Sequence, residues 1–273
     1  LSLYIMDYIG KADLTRAETR RMLYTAAAWL LGPMVGTWVY ANSPSIIIYT
    51  VAIAAAVIML SYFWWLRLGD DAVIRPAQSP ATNPLRAVRR YMSQPRLRIA
   101  YIITLSRSCF WAALFVYGPI YVIEAGLPAW TGGILLSGTS AFLFFSPVVQ
   151  RLAERFGTRQ VLIACSLLIG ASLSVLGVIG EARPLGFLFW ITGALGAAGM
   201  DTLGNIPFMR MVRPRERSDM TMVFSTWREG SSLLTQALVF LTLLVAPFWA
   251  FYFVLALLLF ATAAATTNLP RRL

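Results

Sequence analysis

The sequence predicts an all-α membrane protein, a polytopic bundle of about eight transmembrane helices. Three observations carry that reading. Eight apolar stretches are each long enough to cross a bilayer, which takes about 20 residues of helix. The chain is 58% hydrophobic and only 13% charged, with a mean hydropathy of +0.68, so its polar side chains cannot cover a water-soluble globule of 273 residues. Basic loops alternate with loops nearly free of charge, the rhythm a bilayer imposes when arginine and lysine stay on the cytoplasmic side.

The predicted segments are Met22–Ala41, Pro44–Leu66, Ile99–Ile123, Trp130–Val149, Val161–Gly180, Gly186–Met209, Met220–Leu244 and Pro247–Asn268. The turns at Asn42-Ser43 and Val245-Ala246 are so short that each joins an antiparallel hairpin. Lys11, Arg16, Arg20 and Arg21 precede the first segment, and seven arginines from Arg67 to Arg98 separate the second from the third. Arg151, Arg155 and Arg159 follow the fourth, Arg210, Arg213, Arg215 and Arg217 follow the sixth, and Arg271 and Arg272 close the chain. The other side carries only Glu124, Glu181 and Arg183. The positive-inside rule then predicts an inner (plasma) membrane protein with both termini of this chain cytoplasmic. The net charge of +11 is accounted for by this topology and by anionic lipid head groups, so no nucleic acid is expected as a partner.

The composition excludes several chemistries. Without histidine there is no histidine triad, no HExxH zinc site and no imidazole proton relay. Cys109 and Cys165 lie apart inside apolar stretches and read as small core residues, not as a disulfide or metal site. No phosphate-binding loop is present, so no nucleotide is hydrolysed unaided. No cofactor, no metal and no enzymatic activity are expected. An intramembrane aspartyl protease needs two facing aspartates, and Asp201 is the single aspartate inside a segment.

Residues Gly69–Gln94 form the one long polar connection, with Pro76, Pro80 and Pro84. They read as a linker carrying a short surface helix at Pro84–Met92. A shift of about 200 residues superimposes the hydropathy of the first two segments on that of the last two, a parallel repeat of the kind transporters use. On that reading the second half is complete, and the first half is expected to have four further helices before Leu1.

Residues Val116–Ile163 resemble the seventh-to-ninth helix region of the major facilitator superfamily. Within them RLAERFGTR, Arg151–Arg159, looks like the family's cytoplasmic loop motif. Glu154 stands for its acidic residue, Arg155 and Arg159 for basic ones and Gly157 for the turn glycine, while Thr158 and Gln150 depart from the pattern. The resemblance implies a gating loop; read from the residues alone, the same turn only sets topology. Gly32, Pro33 and Gly36 in the first segment resemble the family's fifth-helix antiporter motif, with Thr37 in place of its last glycine. They imply a tight, bent seam associated with proton-coupled efflux, against the plainer reading of a membrane-helix kink. The eight segments then correspond to the family's helices five to twelve. Residues 1–66 end an N-terminal six-helix bundle, 67–98 form the cytoplasmic linker, and 99–273 form the C-terminal six-helix bundle.

Charges at membrane depth cost about 2.5–3.5 kcal/mol each and face a cavity or a partner. Arg107 lies in the third segment, Asp201 in the sixth, and Arg228 and Glu229 in the seventh. Each stands about 12–13 Å from the cytoplasmic end of its helix by the 1.5 Å rise. In the family the helices matching the third and sixth segments line the central cavity, so an Arg107–Asp201 pair is expected across it. Three roles stay open: Asp201 as proton carrier, Arg107 as anchor for an anionic substrate, or a permanent structural ion pair. Asn205 and Trp111 complete the candidate pathway, with Phe115 and Tyr117 as further aromatics and Ser225, Ser232 and Thr235 on the Arg228 face.

The function that follows is a secondary active transporter working by alternating access between bundles. Its expected activity is antiport, the proton-coupled efflux of a small organic or amphipathic compound. Its partners are that small-molecule substrate, protons as coupling ion and membrane lipids. Two alternatives stand beside it: a proton-coupled importer of an organic anion, and a non-transporting membrane scaffold or sensor.

Overall fold

The computed structural model describes residues 13–65, 83–128 and 130–270, with side chains of 32–42, Ser45 and Ile48 outside the described set. Among these residues all regular structure is helical. The helices are α1 (Leu14–Asn42), α2 (Ser45–Trp65), α3 (Pro84–Met92), α4 (Pro95–Glu124), α5 (Trp130–Ala141), α6 (Ser146–Phe156), α7 (Thr158–Ile179), α8 (Gly186–Leu203), α9 (Ile206–Met211), α10 (Arg217–Ser225), α11 (Trp227–Val245) and α12 (Trp249–Thr266).

Every predicted segment is helical, but three are not single helices. The fourth is α5 and α6 joined by a 3-10 turn at Phe142–Phe145, the sixth is α8 and α9, and the seventh is α10 and α11. The described helices that are long and apolar enough to cross a membrane are Pro95–Glu124, Trp130–Phe156, Thr158–Ile179 and Trp249–Thr266, with a shorter apolar run at Tyr49–Trp65. The sixth and seventh segments fall short of that measure in polarity and not in length: α8 has 18 residues and carries Asp201, and α11 has 19 and carries Arg228 and Glu229. Each breaks near its charge, at Gly204–Asn205 after Asp201 and at Thr226 before Arg228 and Glu229. Helix α2 is apolar and exposed around its described circumference, which suits lipid and not water.

Helix α7 packs between α8 and α12, while α4 lies against α5, α8, α11 and α12. Lipid offers no hydrophobic drive between helices, so close packing must hold them. Glycines permit it: a Cβ at Gly196 would fall 2.9 Å from the Cys165 carbonyl oxygen on α7, and one at Gly199 2.6 Å from Cys165 Sγ. Around this seam Phe110, Trp190, Tyr252 and Tyr121 form a buried aromatic chain with centroids 5.8–6.4 Å apart. The Tyr121 hydroxyl donates to the Arg183 carbonyl and accepts from the Arg183 amide, both at 3.1 Å, tying α4 to the loop before α8.

Helix α1 packs against α5, the 3-10 turn, α6, α8 and α9. Its buried face is Leu14, Thr15, Glu18, Thr19, Met22 and Ala26, at helical spacing. On the arginine-rich side Leu14 joins Phe208, Met209, Val223 and Phe224 in one apolar cluster, with Tyr91 of α3. Helix α3 occupies the stretch expected of the surface helix, capped by the Asn83 side chain on the Leu85 amide. Residues 66–82, the rest of the linker, and the basic ends Lys11, Arg271 and Arg272 lie outside the described residues.

Candidate functional site

Helices α1, α4, α5, α8, α10 and α11 and the 3-10 turn meet around a cavity of about 810 Å³. Helix α1 supplies Arg21, Met22, Thr25 and Trp29, and α4 supplies Arg107, Ser108, Trp111 and Phe115. Asp201 and Asn205 come from the end of α8 and the turn after it, and Ser225, Trp227 and Arg228 come from the α10–α11 break. The breaks explain the polarity. A helix interrupted at membrane depth frees backbone groups and brings polar side chains together where they face a cavity.

Arg107 and Asp201 meet as the sequence predicts. Arg107 Nη1 lies 3.0 Å from Asp201 Oδ1, with the arginine 4% and the aspartate 15% exposed. The contact is electrostatic and off the hydrogen-bond direction: among the described residues Arg107 Nη1 and Nε make no hydrogen bond, and Nη2 donates only to Ser108 Oγ at 3.4 Å. The other carboxylate oxygen, Oδ2, accepts from Trp111 Nε1 at 2.8 Å. Gly204 leaves room for the guanidinium, because a Cβ there would stand 3.4 Å from Arg107 Nη1 and 2.6 Å from the Met200 carbonyl oxygen.

Arg228 faces the same cavity but forms no ion pair among the described residues. Its guanidinium lies 5.4 Å from the Trp227 ring centre, and that of Arg107 lies 4.9 Å from the same ring. Such contacts stabilise a cation without neutralising it. An aromatic wall leads away from the charges, Trp111 to Phe115 at 5.7 Å and Phe115 to Trp29 at 5.7 Å. Tyr117 lies off this wall, its hydroxyl donating to Gln236 Oε1 at 3.0 Å. Glu229 is exposed and stands apart from the cavity lining. Thr235 is buried in the α4–α11 contact, donating to the Ser231 carbonyl at 2.8 Å.

The loop motif is a sharp turn. Gly157, with φ of 92°, stands between α6 and α7, a conformation that a side chain disfavours. Arg159 Nη1 donates to the carbonyls of Thr267 at 3.2 Å and Leu269 at 3.0 Å, closing the end of α12. Glu154 accepts from Gln150 at 2.8 Å and pairs with no arginine among the described residues, while Arg155 lies over the Phe156 ring at 5.2 Å. Gly32, Pro33 and Gly36 lie within α1, but their surroundings are outside the described residues.

Sequence reasoning missed one charged member of the site and the carboxylate that holds it. Arg21 lines the cavity and holds Glu18, whose Oε2 accepts from Arg21 Nε at 2.7 Å. In sequence Arg21 reads as one of the basic residues before the first segment. The available signal was the apolar spacing of Leu14, Met22 and Ala26, which extends the buried face of α1 back through Glu18.

A bundle of apolar helices around a polar cavity is the build of a polytopic membrane protein. The model of the Major Facilitator Superfamily matches residues 1–234, and the chain belongs to that family. No curated protein matches it by sequence. Among solved structures it is similar to the crystal structure of a bacterial homologue of the iron transporter ferroportin in an outward-facing state, with TM-score 0.75 and 14% identity. The likeness covers 96% of this chain and 65% of that one, so this chain spans about 65% of that protein's length.

Proposed function

We propose that this chain forms part of a secondary active transporter that exports a small organic or amphipathic compound in exchange for protons. The observation that carries the reading is the Arg107–Asp201 pair on the wall of a cavity between α1 and the second bundle. Asp201 is the proton carrier. When it is neutral, Arg107 loses its counter-charge, and the site gains one net positive charge. Trp29, Phe115 and Trp111 receive the apolar body of the substrate, and Asn205 and Arg228 its polar end. The bundles rock about this site, with residues 1–66 ending the first, 67–98 linking and 99–273 forming the second. The partial coverage of the longer solved chain supports four further helices completing the first bundle. The arginine-rich loops support an inner-membrane position with both termini cytoplasmic. Glu154, Arg155, Gly157 and Arg159 gate that side through the end of α12, and Gly32, Pro33 and Gly36 form a tight, bent seam of the kind that goes with proton-coupled efflux.

A second reading, proton-coupled import of an organic anion, is favoured by charge. Arg21, Arg107 and Arg228 face the cavity against one lining carboxylate, Asp201. That balance draws anions and repels cations.

Proton movement in vesicles holding the full-length protein tests both readings. Substrate-driven proton flux is expected in the native protein and absent in Asp201→Asn. Unchanged coupling in that variant removes Asp201 from the mechanism. The sign of the proton movement separates export from import.

A further inference from the structure

Two groups of opposite charge are left under-satisfied on either side of one seam. On α4, buried Arg107 has five N–H donors and makes a single long hydrogen bond among the described residues, with Nε and Nη1 unbonded. On α1, Glu18 is 1% exposed, and its Oε1 is buried without a hydrogen-bond partner among the described residues. Its other oxygen is held by Arg21 Nη2 at 2.6 Å. Unsatisfied charged groups are costly to bury, and their persistence on a moving part points to a second arrangement that satisfies them.

The surroundings narrow the choice. Glu18 sits one helical turn before Met22, which lines the cavity beside Arg21. The charged groups nearest it are Arg21 of its own helix, Arg107 of α4, which lines the same cavity as Arg21, and Arg210 of α9. Arg210 Nη2 donates to Thr15 Oγ1 at 3.3 Å, one turn nearer the helix start. Asp201 of α8 lies beyond Arg107. The described parts of α2, α5 and the 3-10 turn bring no charge, and Arg151, Glu154 and Arg155 of α6 are exposed, as are Arg16 and Arg20 of α1. The seam thus holds two carboxylates, Glu18 and Asp201, and three guanidiniums, those of Arg21, Arg107 and Arg210.

We propose that Glu18 is the second carboxylate of the coupling site, the partner that Arg107 engages when Asp201 is protonated. Proton uptake on Asp201 removes one negative charge, and Arg107 then satisfies Glu18 Oε1 across the seam. The exchange holds α1 more firmly on the second bundle and raises the closed fraction on the arginine-rich side. Loss of the proton returns Arg107 to Asp201 and frees the seam to part. The inference rests on Asp201 as proton carrier. Glu18 acts through Arg107 as a positioning residue, and it converts a proton into helix movement.

The test places nitroxide labels at the exposed positions Arg20 and Arg213 of the full-length protein in liposomes and measures their separation against pH. The native protein should close as pH falls, and Asp201→Asn should stay closed throughout. Adding Glu18→Gln to Asp201→Asn should lower the closed-to-open ratio about tenfold, the size of an ordinary coupling between sites. Glu18→Asp, which keeps the charge on a shorter arm, should retain a weaker pH response and guards against misfolding as the cause. Equal closure of Asp201→Asn with and without Glu18→Gln overturns the proposal, as does a native pH response that survives in Glu18→Gln. If Asp201→Asn leaves proton-coupled flux unchanged, the proton-carrier reading itself fails, and that outcome is seen in the flux, not in the label distances.

Discussion

Trp111 Nε1 donates to Asp201 Oδ2 at 2.8 Å, on the oxygen that Arg107 Nη1 does not face. The carboxylate is thus held from two sides by one cation and one neutral donor, and the neutral donor fixes its orientation. Hydrogen bonds to charged groups contribute about 1.5–3 kcal/mol. Trp111→Phe keeps most of the ring and its stacking on Phe115. It should slow proton-coupled transport by about tenfold, in line with the low end of that range, with expression unchanged. Trp111→Phe added to Asp201→Asn should cause no further loss, because both act through one carboxylate. Transport rates in vesicles, normalised to protein, check both statements.

The Arg107–Asp201 pair also separates structural from functional roles. Removing one partner of a buried pair strands the other and costs about 3–5 kcal/mol, whereas removing both is often near neutral. Arg107→Gln and Asp201→Asn should each lower the unfolding temperature in detergent. The double variant should recover most of that loss and still not couple protons. Recovery of transport along with stability would show that the pair serves the fold alone.

The membrane segments were legible because bilayer thickness and the positive-inside bias write themselves into length and charge. Arg107 and Asp201 were legible for the same reason, since a charge inside an apolar run needs a partner. What the sequence concealed were relations set by packing. Glu18 and Arg21 sit among exposed arginines in sequence, yet the face through Leu14, Thr15 and Met22 turns them inward. The 3-10 turn at Phe142–Phe145 and the breaks at Gly204 and Thr226 leave the hydropathy of their segments nearly intact, so length alone read each as one helix. The reach of Arg159 to Thr267 and Leu269 depends on where α12 ends, more than 100 residues away.

The glycine seam between α7 and α8 gives a stability prediction with its own control. A Cβ at Gly196 meets a backbone oxygen of Cys165 at 2.9 Å, and backbone cannot swing aside as a side chain does. Gly196→Val should cost about 1–3 kcal/mol through overpacking and reduce the monodisperse fraction on size exclusion. Gly133 has open space where its Cβ would go, with nothing within 4 Å. Gly133→Ala should therefore leave that fraction unchanged.

The linker helix is fastened by one carboxylate. Glu216, 9% exposed at its side chain, accepts from Arg90 Nη2 at 2.5 Å and from Gln94 Nε2 at 3.2 Å, with Arg90 58% exposed. The two ends of the pair are unequal. Arg90→Ala removes a half-solvated charge from water-screened surroundings and should cost about 0–1 kcal/mol. Glu216→Ala unties Gln94 as well and takes away the buried anchor that holds α3 beside α10. Limited trypsin digestion should cut at Arg86, Arg89 and Arg90 several times faster in Glu216→Ala than in Arg90→Ala when compared at Arg86 and Arg89. Equal rates at those two sites would mean that the apolar contacts of Ala87 and Tyr91 alone keep α3 in place.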